Sequence, residues 1–477
     1  MEISNFQKTK ILATVGPASN SYSNLLNLIK AGVDAFRLNF SHGKHEEQLK
    51  VFESIQYINK KYKTTISSLA DLQGPKLRVG EIENGKIPLK KGDILTFVNE
   101  KCVGNAEKIY MSYSQFAKDV KVGEKVLVDD GNVQLLVKET NGVDSVKLEV
   151  LYGDFLSSRK GVNLPQTNIS LPSLTEKDLK DLDFILQYDF NWIALSFVRS
   201  ANDIHNLRKL IQAKGHRAKI IAKIEKPEAI DNIDAIIDAS DGIMVARGDL
   251  GIEMPMQRLP ILQKMIINKC IHKAKPVIIA TQMMDSMIKN PSPTRAEIID
   301  VANAVIDGAD AVMLSGETAV GAHPVKVVEA MNDIIEEAEK VESIYYKRLT
   351  PDEESPSFLS DAICYNACRI ARQVNAKCII GMTKSGYTAY MVSSYRPKAH
   401  VFIFSSDYNI LNAMNLVWGI RSFYYDKFSS TDSTIQDVHT LLQSSGHLIT
   451  GDVVINTGSM PLKAKKKTNM LKISVIE

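Results

Sequence analysis

Cysteine is scarce in this chain, with five residues among 477, no Cys-x-x-Cys pair and no metal-type spacing with histidine. This scarcity excludes a disulfide-stapled secreted domain and a zinc module, and it predicts a reducing compartment, the cytoplasm. Cys364 and Cys368 lie four residues apart in an amphipathic helical pattern, which is typical of core positions.

Long apolar runs and a charge excess are missing as well. No run approaches the ~20 apolar residues of a membrane span, and the first 15 residues lack the apolar core and cleavage site of a signal peptide. The balance of 58 basic against 55 acidic residues gives +3, which is no argument for a nucleic-acid partner. The one basic run is either a solvated turn or an anion contact, and it comprises Lys463, Lys465, Lys466 and Lys467. We therefore expect neither a membrane nor a nucleic acid as a partner.

What the chain does contain is an ordinary globular composition, 44% apolar and 24% charged, over a length that calls for two to four domains. Eight short apolar runs recur with helical spacers between them. This repetition predicts a (β/α)8 TIM barrel. The runs are Lys10–Val15, Ala35–Phe40, Ser68–Leu72, Trp192–Val198, Ile220–Ile224, Gly242–Ala246, Val277–Ala280 and Ala311–Leu314.

Two further regions have a different pattern. Residues 76–171 alternate apolar and polar positions with frequent turn signals, which predicts an inserted all-β lid domain between barrel segments 1–75 and 172–342. A polar stretch with two prolines, Lys347–Ser357, indicates a linker. Beyond it, residues 357–477 alternate helical and strand patterns, which predicts a smaller open α/β regulatory domain.

Each of the eight runs ends in residues that can take part in chemistry. Barrel enzymes build their sites at the carboxyl ends of the strands, so the coincidence across eight strands favours an active site over packing alone. In the fifth and sixth runs, Lys223 and Glu225 end one strand and Asp249 follows the next. Two carboxylates one strand spacing apart suit a hard divalent cation, and the lysine suits an anion. We interpret them as a magnesium-phosphate site, with a solvated surface ion pair as the alternative.

Other strand ends add complementary groups. Arg37, Asn39 and Ser41 alternate along one strand and therefore point the same way, a combination that suits a phosphoryl group and a cation held by oxygens. The glycines around Asp249 permit backbone amides to approach an anion. The hydroxyl and carboxyl groups of Thr281, Ser315 and Glu317 are candidates for handling a proton.

A second phosphate site is predicted in the last domain. The segment Met382–Thr388 follows a strand and opens a helix, and it offers hydroxyls, a lysine and free amides. It is not a Walker motif, because GxxxxGK[ST] is absent. Simple capping of the helix by Ser385 is the alternative.

Taken together, these segments resemble the pyruvate kinase family, in order and over nearly the whole chain. The resemblance rests on RLNFSHG, DLQGPKLR, KGVNLP, KIEKPEAIDNIDAIIDASDGIMVARGDLG, ATQMMDSM, PTRAEIIDVANAVIDGADAVMLSGETAVG and TKSG. It implies a barrel, a mobile lid, a regulatory domain, transfer of a phosphoryl group from phosphoenolpyruvate to ADP giving pyruvate and ATP in glycolysis, and a homotetramer.

The resemblance also implies residue roles. Glu225 and Asp249 resemble ligands of Mg²⁺ or Mn²⁺, Lys223 the lysine that neutralises the phosphoryl group, and Arg37 a phosphate-binding arginine. The resemblance further implies that the substrate carboxylate is bound by Gly248, Asp249 and Thr281. It implies a nucleotide site formed by Asn39, His42, Arg78 and Lys160, with Arg78 carried on the lid, and a monovalent-cation site formed by Asn39, Ser41, Asp71 and Leu72. It also implies an effector loop formed by Thr383, Lys384, Ser385, Gly386 and Thr388. The proton for enolpyruvate is assigned either to Thr281 through water or to a relay of Ser315 and Glu317.

Two departures from the family pattern are informative. Potassium-dependent members have glutamate at the position of Lys76 and threonine at that of Leu72, so the ammonium of Lys76 is predicted to replace K⁺, and K⁺ not to be required. The region 458–467 lacks the tryptophan and arginine that grip the second phosphate of fructose 1,6-bisphosphate in some members. A sugar monophosphate or AMP is therefore the preferred phosphorylated effector.

Two rival functions remain at this stage. A magnesium-dependent aldolase acting on pyruvate-like acids would use the same carboxylates but needs no nucleotide, so the lid residues argue against it. A catalytically silent metabolite sensor would tolerate damage at Lys223, Glu225 or Asp249, and all three are intact.

Overall fold

The structure is a computed structural model that describes residues 7–348, 350–427, 430–460 and 467–477. Lys463, Lys465 and Lys466 of the basic run, and most of the region 458–467, lie outside the described residues. The buried apolar side chains form separate cores: one between the barrel and its helices, one inside the barrel, one in the inserted domain and one on each face of the last sheet.

The chain begins its barrel with three strands. Ser21 accepts a hydrogen bond from the amide of Asn24 and starts the first helix, which ends at Gly32 in a left-handed conformation with φ +118°. The elements are β1 (Lys10–Thr14), α1 (Tyr22–Ala31), β2 (Ala35–Asn39), α2 (His45–Tyr62) and β3 (Ser67–Asp71).

An all-β domain is inserted after β3. Its strands alternate, as in the ninth strand of the chain, where Val146, Leu148 and Val150 are buried while Lys147 is exposed. The elements are β4 (Lys86–Pro88), β5 (Ile94–Val98), β6 (Lys108–Tyr110), α3 (Phe116–Asp119), β7 (Lys125–Val128), β8 (Val133–Thr140), β9 (Ser145–Tyr152), β10 (Phe155–Ser157) and β11 (Val162–Asn163). Six strands form one sheet in the order β11-β7-β8-β9-β5-β6, and β10 pairs with β4.

The second barrel segment supplies the other five strands. They are β12 (Trp192–Leu195), β13 (Lys219–Ile224), β14 (Gly242–Ala246), β15 (Val277–Ala280) and β16 (Ala311–Leu314). The accompanying helices are α4 (Glu176–Ile185), α5 (Ala201–Ala213), α6 (Pro227–Asp231), α7 (Ile233–Ala239), α8 (Arg247–Glu253), α9 (Leu259–His272), α10 (Arg295–Asp307), α11 (Gly316–Ala319) and α12 (Pro324–Ala338).

The eight parallel strands close into a barrel in the order β1-β16-β15-β14-β13-β12-β3-β2, which confirms the predicted fold class. Each begins within one residue of its prediction, because strands buried on both faces are continuous apolar runs. Four predicted runs extend past the strand end: β1, β2 and β3 each end one residue early, and β12 ends at Leu195 rather than Val198. In β12 the reason is Phe197, whose left-handed backbone, φ +53°, cannot continue a strand.

The last domain is an open α/β sheet, also as predicted. Its elements are α13 (Phe358–Gln373), β17 (Cys378–Met382), α14 (Tyr387–Ser394), β18 (His400–Ser405), α15 (Tyr408–Met414), β19 (Ile420–Tyr424), α16 (Thr431–Ser444), β20 (Val453–Gly458) and β21 (Met470–Val475). The strand order is β19-β18-β17-β20-β21, with only β21 antiparallel to its neighbour. Cys364 and Cys368 are buried in its core.

This domain closes the amino-terminal end of the barrel. Leu416 and Ala413 belong to the same buried cluster as the residues inside the barrel, and the indole of Trp192 donates a hydrogen bond to the carbonyl of Ala413 at 3.1 Å. The opposite, carboxyl end of the barrel faces the inserted domain, and the sequence-predicted site residues lie there.

Candidate active site

Two cations share one buried carboxylate at the carboxyl end of the barrel. Arg37, on β2, donates from Nε to Asp71 Oδ2 at 2.6 Å and from a terminal nitrogen to the hydroxyl of Thr14 at 3.1 Å. Lys223, on β13, lies 3.3 Å from Asp71 Oδ1. The carboxylate is 1% exposed and the two cations are 12–13% exposed. Neighbouring strands therefore bring together residues that are far apart in the chain.

The protonation states follow from this arrangement. Burial opposes charge on Lys223, but the carboxylates of Asp71 and Glu225 outweigh it and hold the pKa of the ammonium above its ordinary value. Burial likewise opposes charge on Asp71, and Lys223 and Arg37 outweigh it, so the pKa of Asp71 is lowered. The site thus places the charged ammonium of Lys223 and the guanidinium of Arg37 side by side on the carboxylate of Asp71.

The two predicted metal ligands follow adjacent strands. Glu225 is 1% exposed, and its Oε1 lies 3.0 Å from the ammonium of Lys223. Its Oε2 accepts a hydrogen bond from the amide of Phe197 at 2.6 Å. Burial raises the pKa of Glu225, Lys223 lowers it, and the nearby carboxylate of Asp249 raises it again. Two carboxylates that disfavour each other's charge are a ready place for a cation.

The donor set fits Mg²⁺ rather than a metal held entirely by protein. Among the residues that the structure describes, no group of three or more His, Cys, Asp or Glu could hold a metal. Mg²⁺ is usually bound through one or two carboxylates, with the rest of its octahedron completed by water and substrate oxygens. Glu225 and Asp249 match that requirement, and Lys223 stands where a phosphate would need a counter-charge.

In the predicted carboxylate cradle, the groups that would bind a carboxylate are hydrogen-bonded to each other. The hydroxyl of Thr281 accepts a hydrogen bond from the amide of Gly248 at 2.7 Å and donates one to the carbonyl of Ala280 at 2.6 Å. Thr281 holds a left-handed conformation, φ +69°, which is unusual for a β-branched residue. A Cβ added to Gly248 would lie 3.3 Å from this hydroxyl. A carboxylate that used the Gly248 amide would have to replace Thr281 as its partner.

The other proton-handling candidates are buried beside this cradle. Glu317 accepts hydrogen bonds from the amides of Met284 at 3.1 Å and Ser315 at 2.7 Å, and burial raises the pKa of its carboxyl group. The hydroxyl of Ser315 is buried without a hydrogen-bond partner among the described residues. Glu317 therefore holds two loops together, and a role in proton transfer stays a prediction.

The predicted monovalent-cation site lies at the ends of β2 and β3, whose register pairs Asn39 with Asp71, and it stays a prediction. Asn39 accepts through Oδ1 a hydrogen bond from the amide of Ser41 at 3.1 Å. Asp71 is engaged by the two cations described above, and the carbonyl of Leu72 accepts a hydrogen bond from Ser196 at 2.7 Å.

The residue predicted to replace potassium lies further out. Lys76 lines the cleft between the barrel and the inserted domain, near Gly161 and Asp249. A Cβ added to Gly161 would lie 3.7 Å from Lys76 Cε. Within the described ranges, Lys76 forms no ion pair, and the structure does not bring its ammonium to Asp71.

The predicted nucleotide residues are divided between the two domains. Asn39 and His42 belong to the barrel, while Arg78 and Lys160 belong to the inserted domain, where Arg78 forms a bridge with Gly161, the neighbour of Lys160. Arg78 donates from its guanidinium to the carbonyl of Arg159 at 3.1 Å, within the inserted domain. Lys160 pairs with Asp129 at 2.8 Å, also within that domain, and His42 is exposed at the barrel rim. In this conformation Arg78 and Lys160 are held by their own domain and not by the barrel residues.

The predicted effector loop does open a helix. Gly386, with φ +85°, is the residue before α14, and its amide donates to the hydroxyl of Thr383 at 2.9 Å. Thr388 is buried, and its hydroxyl lies 2.5 Å from that of Thr468. The alternative of simple capping by Ser385 stays open: its hydroxyl accepts a long hydrogen bond, 3.4 Å, from the amide of Tyr387, the first residue of α14.

Lys384 is exposed at this loop. Residues 461–466, which the sequence places in the same region through the segment 458–467, lie outside the described residues. The loop therefore has the hydroxyls and amides that a phosphate needs, and its effector role stays a prediction.

Comparison with known proteins identifies this arrangement. Residues 6–328 match the family model described as pyruvate kinase, barrel domain, and residues 361–474 match pyruvate kinase, alpha/beta domain. The chain is 42% identical over 475 residues to the pyruvate kinase of Clostridium acetobutylicum, covering 99% of this chain and all of the relative. It is also 42% identical to the pyruvate kinase of Geobacillus stearothermophilus, covering 98% of this chain and 80% of that protein. The crystal structure of a pyruvate kinase from Cryptosporidium parvum superposes with a TM-score of 0.92 at 36% identity, covering 99% of this chain and 97% of the other.

The chain belongs to the pyruvate kinase family. Its enzyme class is therefore that of a phosphotransferase, as the sequence resemblance predicted. None of the described helices is both long enough and apolar enough to cross a bilayer.

Some residues of this pyruvate kinase site were missed by sequence reasoning. Glu253, 1% exposed, accepts hydrogen bonds from Lys226 at 2.6 Å and from Asn163 of the inserted domain at 2.8 Å. Burial is the property that singles out Glu253, and a charge beyond a strand end does not reveal it. Ser196 was visible in the sequence as a polar residue after the fourth apolar run, and its hydroxyl accepts a hydrogen bond from Lys223 at 2.7 Å.

Proposed function

We propose that this chain catalyses magnesium-dependent transfer of the phosphoryl group of phosphoenolpyruvate to ADP in glycolysis. One observation carries the proposal: the charged ammonium of Lys223 lies between the carboxylates of Asp71 and Glu225, beside Arg37. Two fixed cations next to a metal-binding pair of carboxylates are what a phosphoryl group in flight requires.

Glu225 and Asp249 hold the divalent cation. When bound, Mg²⁺ offsets negative charge on the phosphoryl and enolate oxygens, and Mn²⁺ serves in its place. The amide of Phe197 and the ammonium of Lys223 keep the carboxylate of Glu225 in one orientation.

Lys223 and Arg37 bind the phosphoryl group from the protein side, while Thr281 and the amides of Gly248 and Asp249 bind the substrate carboxylate. The hydrogen bond from Gly248 to Thr281 supports this assignment because it keeps both groups aligned until a carboxylate replaces it. The positioning of substrate by preset donors accounts for most of the acceleration expected of such a site.

The nucleotide binds between the barrel rim and the inserted domain, with Asn39, His42, Arg78 and Lys160 on its side. Arg78 pairs with Arg159 and Lys160 with Asp129 in the structure, and we propose that the inserted domain moves so that both side chains reach the nucleotide when ADP binds. Closure excludes water from the transferring phosphoryl group, which is the general use of a lid.

Enolpyruvate must then be protonated at carbon. Two donors are proposed: Thr281 acting through water, and a relay of Ser315 and Glu317. The hydroxyl of Ser315, which has no hydrogen-bond partner among the described residues, supports the relay. The two hydrogen bonds that Glu317 accepts from backbone amides instead favour a structural role for Glu317.

We also propose that activity does not require K⁺, because Lys76 supplies a fixed positive charge on the cleft side of Asp71 once the lid closes. The loop Thr383–Thr388 binds a phosphorylated effector, for which a sugar monophosphate or AMP is preferred. The enzyme is a cytoplasmic homotetramer.

The test is pyruvate formation from phosphoenolpyruvate and ADP with Mg²⁺, with and without K⁺ in a Na⁺-free buffer. Equal rates that depend on Mg²⁺ are expected. Activity only with K⁺ would keep the reaction and overturn the role of Lys76. No turnover, even with sugar phosphates present, would favour the sensor or the aldolase.

The effector site has its own test. Lys384→Ala is expected to abolish activation by whichever phosphate activates the parent enzyme and to leave the unactivated rate unchanged. An unchanged response would remove this loop from the proposed regulation.

A further inference from the structure

The turn that follows β12 is strained. Phe197 has φ +53°, a conformation that is a genuine outlier for a bulky residue. Such conformations persist only where the surroundings hold them. Ser196 and Phe197, which we name the Ser196 turn, are held from two sides.

One side is catalytic. The amide of Phe197 donates to Glu225 Oε2 at 2.6 Å, and the hydroxyl of Ser196 accepts from the ammonium of Lys223 at 2.7 Å. The strained residue thus lies where the chain leaves β12, and its N–H contacts the proposed metal ligand.

The other side is the crossing from the barrel into the inserted domain. The hydroxyl of Ser196 donates to the carbonyl of Leu72 at 2.7 Å. Gly74, with φ +70°, packs so closely on the turn that an added Cβ would lie 2.8 Å from Phe197 Cδ2 and 3.0 Å from Ser196 Cβ. A glycine is required there for both the backbone conformation and the space.

The two chain crossings between barrel and inserted domain are tied together at this point. The amide of Gly74, on the way out, donates to Asp178 Oδ1 at 3.1 Å. The other oxygen of Asp178 accepts from the amide of Thr175, on the way back, at 2.9 Å. Asp178 is fully buried, so Gly74 is a fixed point about which the inserted domain can turn.

We propose that the Ser196 turn couples the lid hinge to the metal-binding carboxylate, with Phe197 as a positioning residue. Because its ring packs on Gly74 and its amide holds Glu225, a rotation of the hinge changes the orientation of the carboxylate, and a cation on Glu225 restrains the hinge in return. The inference rests on the proposed function in one respect, that Glu225 binds a divalent cation.

The test uses Mn²⁺ as the probe and needs no turnover. Mn²⁺ affinity is measured by electron paramagnetic resonance, and amide hydrogen exchange of the hinge, residues 73–79, is measured with and without saturating Mn²⁺ in the full chain. In the parent, Mn²⁺ is expected to slow hinge exchange about fivefold or more. In Phe197→Ala, which keeps the amide but removes the ring, Mn²⁺ affinity is expected to stay within about tenfold, while the slowing disappears.

Controls separate coupling from general loosening. Phe184→Ala removes a half-buried ring from α4 that stacks on His45 and not on the hinge, and it is expected to retain the slowing. Phe197→Leu keeps bulk against Gly74 and is expected to retain most of it, so the proposal stays testable if Phe197→Ala folds poorly. Equal slowing in Phe197→Ala and the parent, or none in the parent, overturns the coupling. Absence of Mn²⁺ binding by the parent overturns the metal assignment of Glu225 and the coupling with it.

Discussion

The ammonium of Lys223 lies 3.3 Å from the carboxylate of Asp71, whose second oxygen holds Arg37 at 2.6 Å. Family resemblance alone places Asp71 in a monovalent-cation site, yet here it is the common anchor of two cations. A buried carboxylate in this position fixes the direction of both side chains and keeps them charged. Preorganisation of this kind avoids reorientation when the phosphoryl group arrives.

Asp71→Asn is expected to shift the alkaline limb of the pH profile to lower pH. The carboxylate of Asp71 raises the pKa of Lys223 against the effect of burial, so its removal lowers that pKa. Activity needs the charged ammonium and is lost as pH rises through its pKa. The value of kcat at neutral pH is expected to fall about 10- to 100-fold. The profile of kcat/KM for phosphoenolpyruvate reports the shift.

Asp183→Asn is the matched control, because Asp183 pairs with Lys214 on the surface and both are more than half exposed. Its pH profile is expected to be that of the parent. An alkaline limb unchanged by Asp71→Asn would contradict the anchoring role.

Lys76→Glu is expected to make the enzyme dependent on K⁺. The substitution removes the positive charge of Lys76 and introduces a glutamate, the residue that the family resemblance associates with potassium dependence at this position. K⁺ should then raise the rate about tenfold or more in a Na⁺-free assay. Lys76→Gln removes the charge without adding a carboxylate, and we expect K⁺ to restore less of its activity. Equal rates of Lys76→Glu with and without K⁺ would refute the role of Lys76.

The sequence predicted the barrel well because its signals are local. Each strand is a buried run with a polar residue at its end or directly after it, and strand-end residues such as Lys223 and Asp71 meet because parallel strands share one edge. The start of α14 after Gly386 was visible for the same reason. What the pattern could not show depends on contacts between distant segments. The early end of β12 at Phe197 and the burial of Glu253 belong to this class.

The sequence also could not predict the contacts of side chains in the inserted domain. Resemblance placed Arg78 on the nucleotide side, but its guanidinium donates a hydrogen bond to the carbonyl of Arg159 in its own domain. The relative position of two domains joined by a hinge is a matter of ligands and conditions as well as sequence. The hinge itself, with Gly74 on Asp178, has no short-range signature beyond a Gly-Pro pair.

Glu317→Gln is expected to destabilise the protein by about 1–3 kcal/mol, because an amide nitrogen would replace one of the oxygens that now accept from Met284 and Ser315. Ser315→Ala is the companion change. Its hydroxyl is buried without a partner among the described residues, so stability should change little. Chemical denaturation measures both effects.

The same two variants discriminate between the proton donors. If the relay operates, Ser315→Ala slows exchange of tritium from the methyl group of pyruvate, although the fold is intact. If Thr281 acts through water, the exchange rate of Ser315→Ala matches that of the parent and Thr281→Ala is the slow variant.

Arg396→Met is expected to cost about 3–5 kcal/mol of stability, since it leaves a buried charge without its partner. Arg396, after α14, lies 2.8 Å from Asp310 at the base of β16, and both side chains are 2% exposed. Asp310 also accepts from the amides of Val277 at 3.1 Å and Trp418 at 3.0 Å, so it ties the barrel to the last domain.

The double variant Arg396→Met with Asp310→Asn removes both charges and should recover part of the loss. Lys340→Met breaks an exposed pair with Glu337 and should lower the unfolding midpoint far less, because solvent screens exposed ion pairs. Thermal unfolding of the three proteins against the parent gives the comparison; a midpoint of Arg396→Met equal to that of Lys340→Met would show that the buried pair does not join the domains.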